Sequence, residues 1–230
     1  MRYYYLFLHL LFTISLLSFQ SCGYFLSSRG NDKQDEGSFL SSILLGQCSI
    51  GGQNFSVAGG IICTNGSASG SGSLTAISDG RDDHGIQAIF SLNAIDSQID
   101  FVAAGNRADL ASTGHGFKFT LTSVNAHGPG GLPFSPNIAA LVPVINAQKT
   151  VCMEIHSLEA DVHMVIDDRP CPPGQQDMTS PPVTYESGGV LTNGAKNGQG
   201  WGIINIRNAV LFSLNVRSQR IYCEAGQTSC

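Results

Sequence analysis

The sequence predicts an all-β fold, an antiparallel β-sandwich of the jelly-roll or concanavalin-like kind. Apolar and polar side chains alternate with a period of two in several short segments, which is typical of half-buried strands. Breaks rich in glycine and polar residues separate these segments, and the chain holds 27 glycines among its 230 residues. Because no stretch of helical length keeps an apolar period of 3.6, the pattern argues against alternating strand and helix.

The alternation is clearest in three segments, residues 99–103, 117–121 and 210–216. Their apolar side chains fall at every second position: Ile99, Phe101 and Ala103, then Phe117, Phe119 and Leu121, then Val210, Phe212, Leu214 and Val216. Successive side chains of a strand point to opposite faces of a sheet. Each apolar set is therefore expected to face the core.

The first 21 residues have the three-part plan of a secretory signal peptide. Arg2 is the only lysine or arginine among them, residues 6–19 are mainly apolar, and the small residue Ser21 precedes Cys22. This apolar run is shorter than the roughly 20 residues that a membrane-spanning helix requires. We therefore expect residues 1–21 to be removed as a signal peptide.

This N-terminus resembles that of a bacterial lipoprotein precursor. Phe19 stands three positions before Cys22, where leucine is usual, and this is similar to the relaxed lipobox of spirochaete lipoproteins. The resemblance implies that Cys22 carries acyl chains such as palmitate and anchors the protein to a membrane. It also implies a place in the cell envelope, at the outer membrane or cell surface rather than the inner membrane. The alternative is a plain signal peptide in which Cys22 is incidental.

A flexible tether is expected between this anchor and a folded domain. Residues 22–42 are rich in serine, glycine and charged side chains, and they contain too little apolar surface to pack. The remaining residues, 43–230, are sufficient for one β-sandwich domain.

The seven cysteines support the same interpretation. Their odd number leaves one thiol over in an oxidising compartment, and acylation of Cys22 would account for it. The other six fall in sequence as three close pairs, namely Cys48 with Cys63, Cys152 with Cys171, and Cys223 with Cys230. Several connectivities are open to six cysteines. We favour the local one, because each pair encloses a short segment.

The formal net charge of −5 gives no reason to expect a nucleic-acid partner. The expected partners are the membrane, through the lipid anchor, and a protein or carbohydrate. No cofactor is expected. The turn at residues 79–85 clusters carboxylates, so calcium is an alternative there, although the order of a helix-loop-helix calcium site is missing.

Residues 150–166 predict a β-hairpin with one apolar face and one polar face. A loop of residues 157–160 puts both apolar sets on the same side of the sheet. The predicted pairs are Ile155 with Val162 and Met153 with Met164 on the apolar face, and Glu154 with His163 and His156 with Asp161 on the polar face.

Three interpretations of that polar face are open. The one we favour is a pair of cross-strand charge contacts on a solvated or partly covered face, each worth about 0.2–1 kcal/mol. The second is a zinc site with His156, His163, Glu154 and Asp161 as ligands, since imidazole and carboxylate both suit zinc.

The third interpretation is catalytic. The segment Glu154-Ile155-His156-Ser157-Leu158-Glu159 is similar to the Glu-x-Asp-x-x-Glu strand of the laminarinase-type jelly-roll glycosidases. The resemblance implies that one of Glu154 and Glu159 attacks the sugar while the other protonates the leaving oxygen. His156 stands where that family has aspartate.

The function that we expect is binding rather than catalysis. The glycine-rich segment 187–202 predicts a long loop, and Trp201 at its end is placed to contact a ligand. The sequence thus predicts a lipid-anchored β-sandwich module for adhesion or envelope interactions. The alternative is a divergent or inactive glycosidase that acts on carbohydrate or binds it.

Overall fold

Long β-strands dominate the computed structural model, which describes residues 46–77, 83–158, 161–187, 198–227 and 229–230. The strands are β1 (Gln47–Ile50), β2 (Gln53–Thr64), β3 (Ser67–Ala76), β4 (Asp83–Leu92), β5 (Gln98–Gly105), β6 (His115–Thr120), β7 (Val124–His127), β8 (Lys149–Leu158), β9 (Asp161–Asp167), β10 (Gln176–Asp177), β11 (Tyr185–Glu186), β12 (Gly200–Arg217) and β13 (Tyr222–Cys223). The signal peptide, Cys22 and the tether predicted for residues 1–42 lie outside the described residues.

Helical structure in the described residues is limited to short turns. They are the 3-10 turns Arg107–Asp109, Pro129–Gly131 and Ala139–Leu141, and the helix α1 (Leu110–Thr113). No helix of the described residues is long and apolar enough to cross a membrane.

The strand β12 joins the two layers of the fold. It pairs antiparallel with β3 and, along successive parts of its length, with β5 and then β4. One path of strands runs β1-β2-β3-β12-β4-β8-β9-β11, and a branch continues from β12 through β5 and β6 to β7. The short strands β10 and β13 form a separate parallel pair.

The two branches pack face to face around an aromatic core. The ring centroid of Phe90, on β4, lies 5.6 Å from that of Phe101 on β5 and 4.9 Å from that of Phe119 on β6. All three side chains are fully buried. The predicted fold class, an antiparallel β-sandwich, is therefore confirmed.

Two of the three predicted alternations hold. Ile99, Phe101 and Ala103 face the core, as do Phe117 and Phe119. The third holds only in part, because a bulge between Leu211 and Ser213 interrupts β12. Leu214 is 2% exposed, as predicted, but Leu211 is 2% exposed and Phe212 is 40% exposed, the reverse of the predicted orientation.

The bulges of β12 show in its pairing and its backbone. The register with β3 shifts between Ile203 and Ile206, and again between Ile206 and Ala209. Asn205 and Asn208 lie within these shifts and have positive φ angles of 51° and 47°. Each bulge inserts a residue, so strict alternation fails along this strand.

Three disulfides brace the sandwich, and they follow the favoured local pattern. Cys48 bonds to Cys63 across β1 and β2, Cys152 on β8 bonds to Cys171, and Cys223 on β13 bonds to Cys230. Six of the seven cysteines are therefore paired, which leaves Cys22.

Candidate functional site

The hairpin of β8 and β9 forms with a different register from the predicted one. Ile155 lies opposite Met164 rather than Val162, and His156 lies opposite His163 rather than Asp161. Because β8 extends to Leu158 and β9 begins at Asp161, the connection is shorter than predicted. The register moves by two positions, and an even shift leaves every side chain on its predicted face.

The polar face of this hairpin is closed to solvent. Glu154 is fully buried and His156 is 1% exposed. The C-terminal segment covers them, since the backbone N–H groups of Ile221 and Tyr222 both donate to the Oε2 atom of Glu154, the second at 2.8 Å. The favoured interpretation, a solvated or partly covered face, is therefore wrong.

The two histidines complete a buried polar cluster. The Nδ1 atom of His156 lies 2.7 Å from the Oε1 atom of Glu154, and the His156 and His163 rings meet at a centroid distance of 4.8 Å. The Nε2 atom of His163 lies 2.9 Å from the Oε1 atom of Glu186. Burial, and then the nearby charge of His156, lower the pKa of His163. The cluster holds the C-terminal segment against the hairpin.

This burial contradicts a catalytic role for Glu154. Glycosidase chemistry requires two carboxyl groups that flank a sugar in an accessible cleft. Glu154 has no exposed surface and is committed to backbone N–H groups. Glu159 lies outside the described residues. The sequence places Glu154 on the correct face, but it gives no sign that residues 220–222 cover that face.

The structure places three of the four predicted zinc ligands on one face of the hairpin. Glu154, His156 and His163 share one face, whereas the side chain of Asp161 lies outside the described residues. Within the described part of the chain, no group of three or more histidine, cysteine, aspartate or glutamate side chains is placed to hold a metal ion. Most of the calcium candidate at 79–85 also lies outside the described residues.

Trp201 is in the core and not in a ligand-binding loop, so that prediction is wrong. It begins the core-facing series of β12, has no exposed surface, and meets the ring of Phe55 edge-on at 5.2 Å. Because the strand β12 starts at Gly200, Trp201 is the second residue of this strand, and its indole lies in the core.

A second buried acid–imidazole pair lies on the β5-β6-β7 branch. The Nε2 atom of His127 lies 2.7 Å from the Oδ1 atom of Asp100, and each side chain is 2% exposed. The Nδ1 atom of His127 lies 2.9 Å from the carbonyl oxygen of Gly128. Burial disfavours the charged ring, but the hydrogen bond and charge of Asp100 outweigh it and raise the pKa of His127.

A polar groove opens on the outer face of the sandwich, where β3, β5 and β12 meet the helical segment 107–113. Its volume is about 540 Å³. Its lining is Ser71, Gly72, Ser73, Thr75, Gln98, Arg107, Ala108, Asp109, Leu110, Ala111, Ile204, Asn205, Ile206 and Arg207. Sequence reasoning missed this groove, because its walls come from segments far apart in the chain.

The bulge at Asn205 shapes the floor of the groove. Ile204 and Ile206 on either side of it are both 5% exposed, while Asn205 is exposed. A left-handed backbone conformation thus turns one amide side chain out between two buried isoleucines. The polar residues at 205, 207 and 208, which interrupt the apolar run between Trp201 and Phe212, were the signal available in the sequence.

Glycine keeps one wall of the groove low. A Cβ atom at Gly72 would lie 2.0 Å from the carbonyl oxygen of Ala58, so no side chain fits at this position of β3. The opposite wall is fixed by capping bonds, in which Asn106 accepts from the N–H of Ala108 and Asp109 accepts from the N–H of Ser112. The groove is therefore preformed.

Comparison with known proteins gives remote structural similarity alone. No protein-family model matches the chain, and no curated protein matches it. It is similar to the carbohydrate binding module CBM66 from Bacillus subtilis, with 10% identity and a TM-score of 0.45 over 74% of this chain and 97% of that one. It is also similar to the cellulose induced protein Cip1, with 12% identity and a TM-score of 0.39 over 76% and 90% of the two chains.

Proposed function

We propose that this protein is a lipid-anchored binding module of the bacterial cell envelope, and that its groove takes a saccharide. One observation carries the proposal. The groove is open, preformed and lined by hydrogen-bonding side chains. The carboxylate singled out as a catalytic candidate is instead buried beneath the C-terminal segment.

The lining of the groove favours a ligand rich in hydroxyl groups. Ser71, Ser73 and Thr75 offer hydroxyls, while Gln98 and Asn205 offer amides. These groups both donate and accept hydrogen bonds, as sugar hydroxyls do. The volume of about 540 Å³ is within the usual range for small-molecule sites. The isoleucines of the floor contribute little apolar surface, because both are almost covered.

The cysteine pairing supports the anchor. Three disulfides use every cysteine except Cys22, so an acyl chain at that residue leaves no free thiol. Our proposal assigns residues 22–42 to the tether between this lipid and the sandwich, at the outer membrane or cell surface.

Saccharide binding is tested by titrating the detergent-purified protein with neutral and acidic oligosaccharides in a calorimeter. We expect at least one to bind, and Asn205→Gly to weaken it about fivefold to tenfold, since one amide contact is lost. Glycine adopts the same positive φ without strain, so the bulge is kept.

Asn215→Gly is the matched control, because Asn215 is an exposed asparagine of the same strand outside the groove. Its affinity should equal that of the unmodified protein. The proposal fails if no oligosaccharide binds, or if Asn205→Gly and Asn215→Gly bind equally well.

A further inference from the structure

We infer that the groove selects saccharides bearing a carboxylate, such as uronic-acid oligosaccharides. This inference rests on the proposed saccharide-binding function and deepens it. Two arginines, Arg107 and Arg207, border the groove and come from different elements. The guanidinium group presents a planar fork of donors that fits the two oxygens of a carboxylate.

The guanidinium of Arg107 is available to a ligand. Arg107 is exposed on the 3-10 turn that forms one wall, and no acidic side chain of the described residues forms an ion pair with it. An arginine with no internal partner has no ion pair to break when an anion arrives. Its full complement of donors therefore serves the ligand.

Arg207 lies on the floor, and within the described part of the chain only its Nε atom forms a hydrogen bond. Its Nε atom donates to the backbone carbonyl of Asp96 at 2.7 Å and lies 3.7 Å from the Asp96 carboxylate. These contacts fix the stem of the side chain, which is 51% exposed. The two terminal nitrogens are the pair that binds a carboxylate side-on.

The acidic side chains nearby are already engaged. Asp109 lines the groove, but its Oδ1 atom accepts the backbone N–H of Ser112 at the start of α1. Asp96 accepts the side-chain amide of Asn208 at 2.9 Å. The lining holds two arginines and one aspartate, so it carries one more positive than negative charge, and the carboxylate of Asp96 lies outside the lining, 3.7 Å from Arg207. The additional cation in the lining, on Arg107, attracts an anion.

The test compares each acidic oligosaccharide with its own neutral counterpart. Galacturonate, glucuronate, mannuronate and guluronate oligomers are titrated before and after chemical reduction of their carboxylates to alcohols. We expect at least one acid to bind, its reduced form to bind about tenfold or more weakly, and the difference to shrink at high salt.

Arginine variants show which side chains bind the carboxylate of the saccharide. Arg107→Gln and Arg207→Gln should each weaken binding of the acid about tenfold and change binding of its reduced form little. Arg217→Gln is the control, since it removes the same charge from the same strand outside the groove. The inference rests first on Arg107→Gln, because Arg107 has no described ion pair whose loss would disturb the fold.

The outcomes separate the two proposals. Acid and reduced forms that bind equally, or affinity unchanged by Arg107→Gln, overturn the carboxylate inference and leave saccharide binding standing if Asn205→Gly still weakens it. Preference for a sulfated neutral sugar over every uronate also overturns it. Failure of all saccharides, acidic and neutral, overturns both proposals.

Discussion

Glu154 shows how a residue can be placed on the correct face while its role is misjudged. Alternation predicts its face of the sheet correctly, because a shift of the register by two positions leaves each side chain on the same face. Besides His156, its partners are Arg220, Ile221 and Tyr222, more than sixty residues later in the chain. No local pattern encodes that contact, so the sequence alone suggests a sugar-cleaving or surface carboxylate.

We expect Glu154→Gln to lower the free energy of unfolding by about 2–3 kcal/mol, well above the value for a surface charge contact. The glutamine side chain either points its NH2 group at the backbone N–H donors of Ile221 and Tyr222 or accepts from them with a neutral oxygen. A neutral amide oxygen is a weaker acceptor than a carboxylate oxygen. Urea denaturation measures the loss.

Glu224→Gln is the control, because Glu224 is an exposed carboxylate just beyond the same segment. Its free energy of unfolding should change by less than about 0.5 kcal/mol. Equal stabilities of the two variants would contradict the anchoring role of Glu154.

His127 should contribute stability that depends on pH. Its two ring nitrogens face a carboxylate and a carbonyl oxygen, both acceptors, so the doubly protonated ring satisfies both contacts. Because its folded-state pKa is raised above 6.5, this contribution is complete below about pH 6.5 and is lost as pH rises through the raised value.

Proton NMR titration checks this directly. The His127 ring should titrate above 6.5, and Asp100→Asn should bring that value down while the carbonyl contact of Gly128 remains. In denaturation experiments, the stability difference between the unmodified protein and Asp100→Asn should shrink with rising pH. A difference that stays constant from pH 6 to pH 9 would refute the assignment.

At the scale of elements, regular strands are predictable and bulged strands are not. The core faces of β5 and β6 follow simple alternation, whereas β12 changes face wherever a bulge adds a residue. The hairpin register was missed for a related reason, because loop length is not encoded in the apolar pattern. The bulges nevertheless build the groove, so the site lies where sequence periodicity breaks down.

The bulge at Asn205 gives a prediction for β12. Asn205→Val should destabilise the protein by about 1–2 kcal/mol, since a β-branched residue strongly resists the left-handed conformation with φ near 51°. The same change at Asn215, an exposed position without positive φ, should be close to neutral or stabilising. Thermal denaturation of both variants makes the comparison. Equal melting temperatures would show that the bulge carries no backbone strain.

At the scale of the whole molecule, composition and periodicity were enough to predict the class of fold but not the site. Sparse charge, many glycines and recurrent alternation led to the antiparallel sandwich, and cysteine spacing led to the local disulfides. The groove depends on how β3, β5 and β12 are brought together with residues 107–111. Such long-range assembly is not encoded in a local pattern, and the polar residues at 205, 207 and 208 indicated only the irregular strand.

The anchor is tested on whole cells that express the protein. Cys22→Ser should abolish acylation and move the protein from the detergent phase to the aqueous phase on phase separation, because no acyl chain holds it. Cys22 is outside all three disulfides, so the folded domain should keep its melting temperature. Unchanged detergent partitioning of the variant would exclude Cys22 as the attachment point.

The place of β12 in the sheet constrains how the protein folds, because this strand follows β3, β4 and β5 in the chain and pairs with all three. Without β12, β3 still pairs with β2, β4 with β8 and β5 with β6, but within the described residues no other strand pairing joins the two branches. Closing the core therefore depends on contacts between residues far apart in sequence, and such non-local pairing makes folding slow.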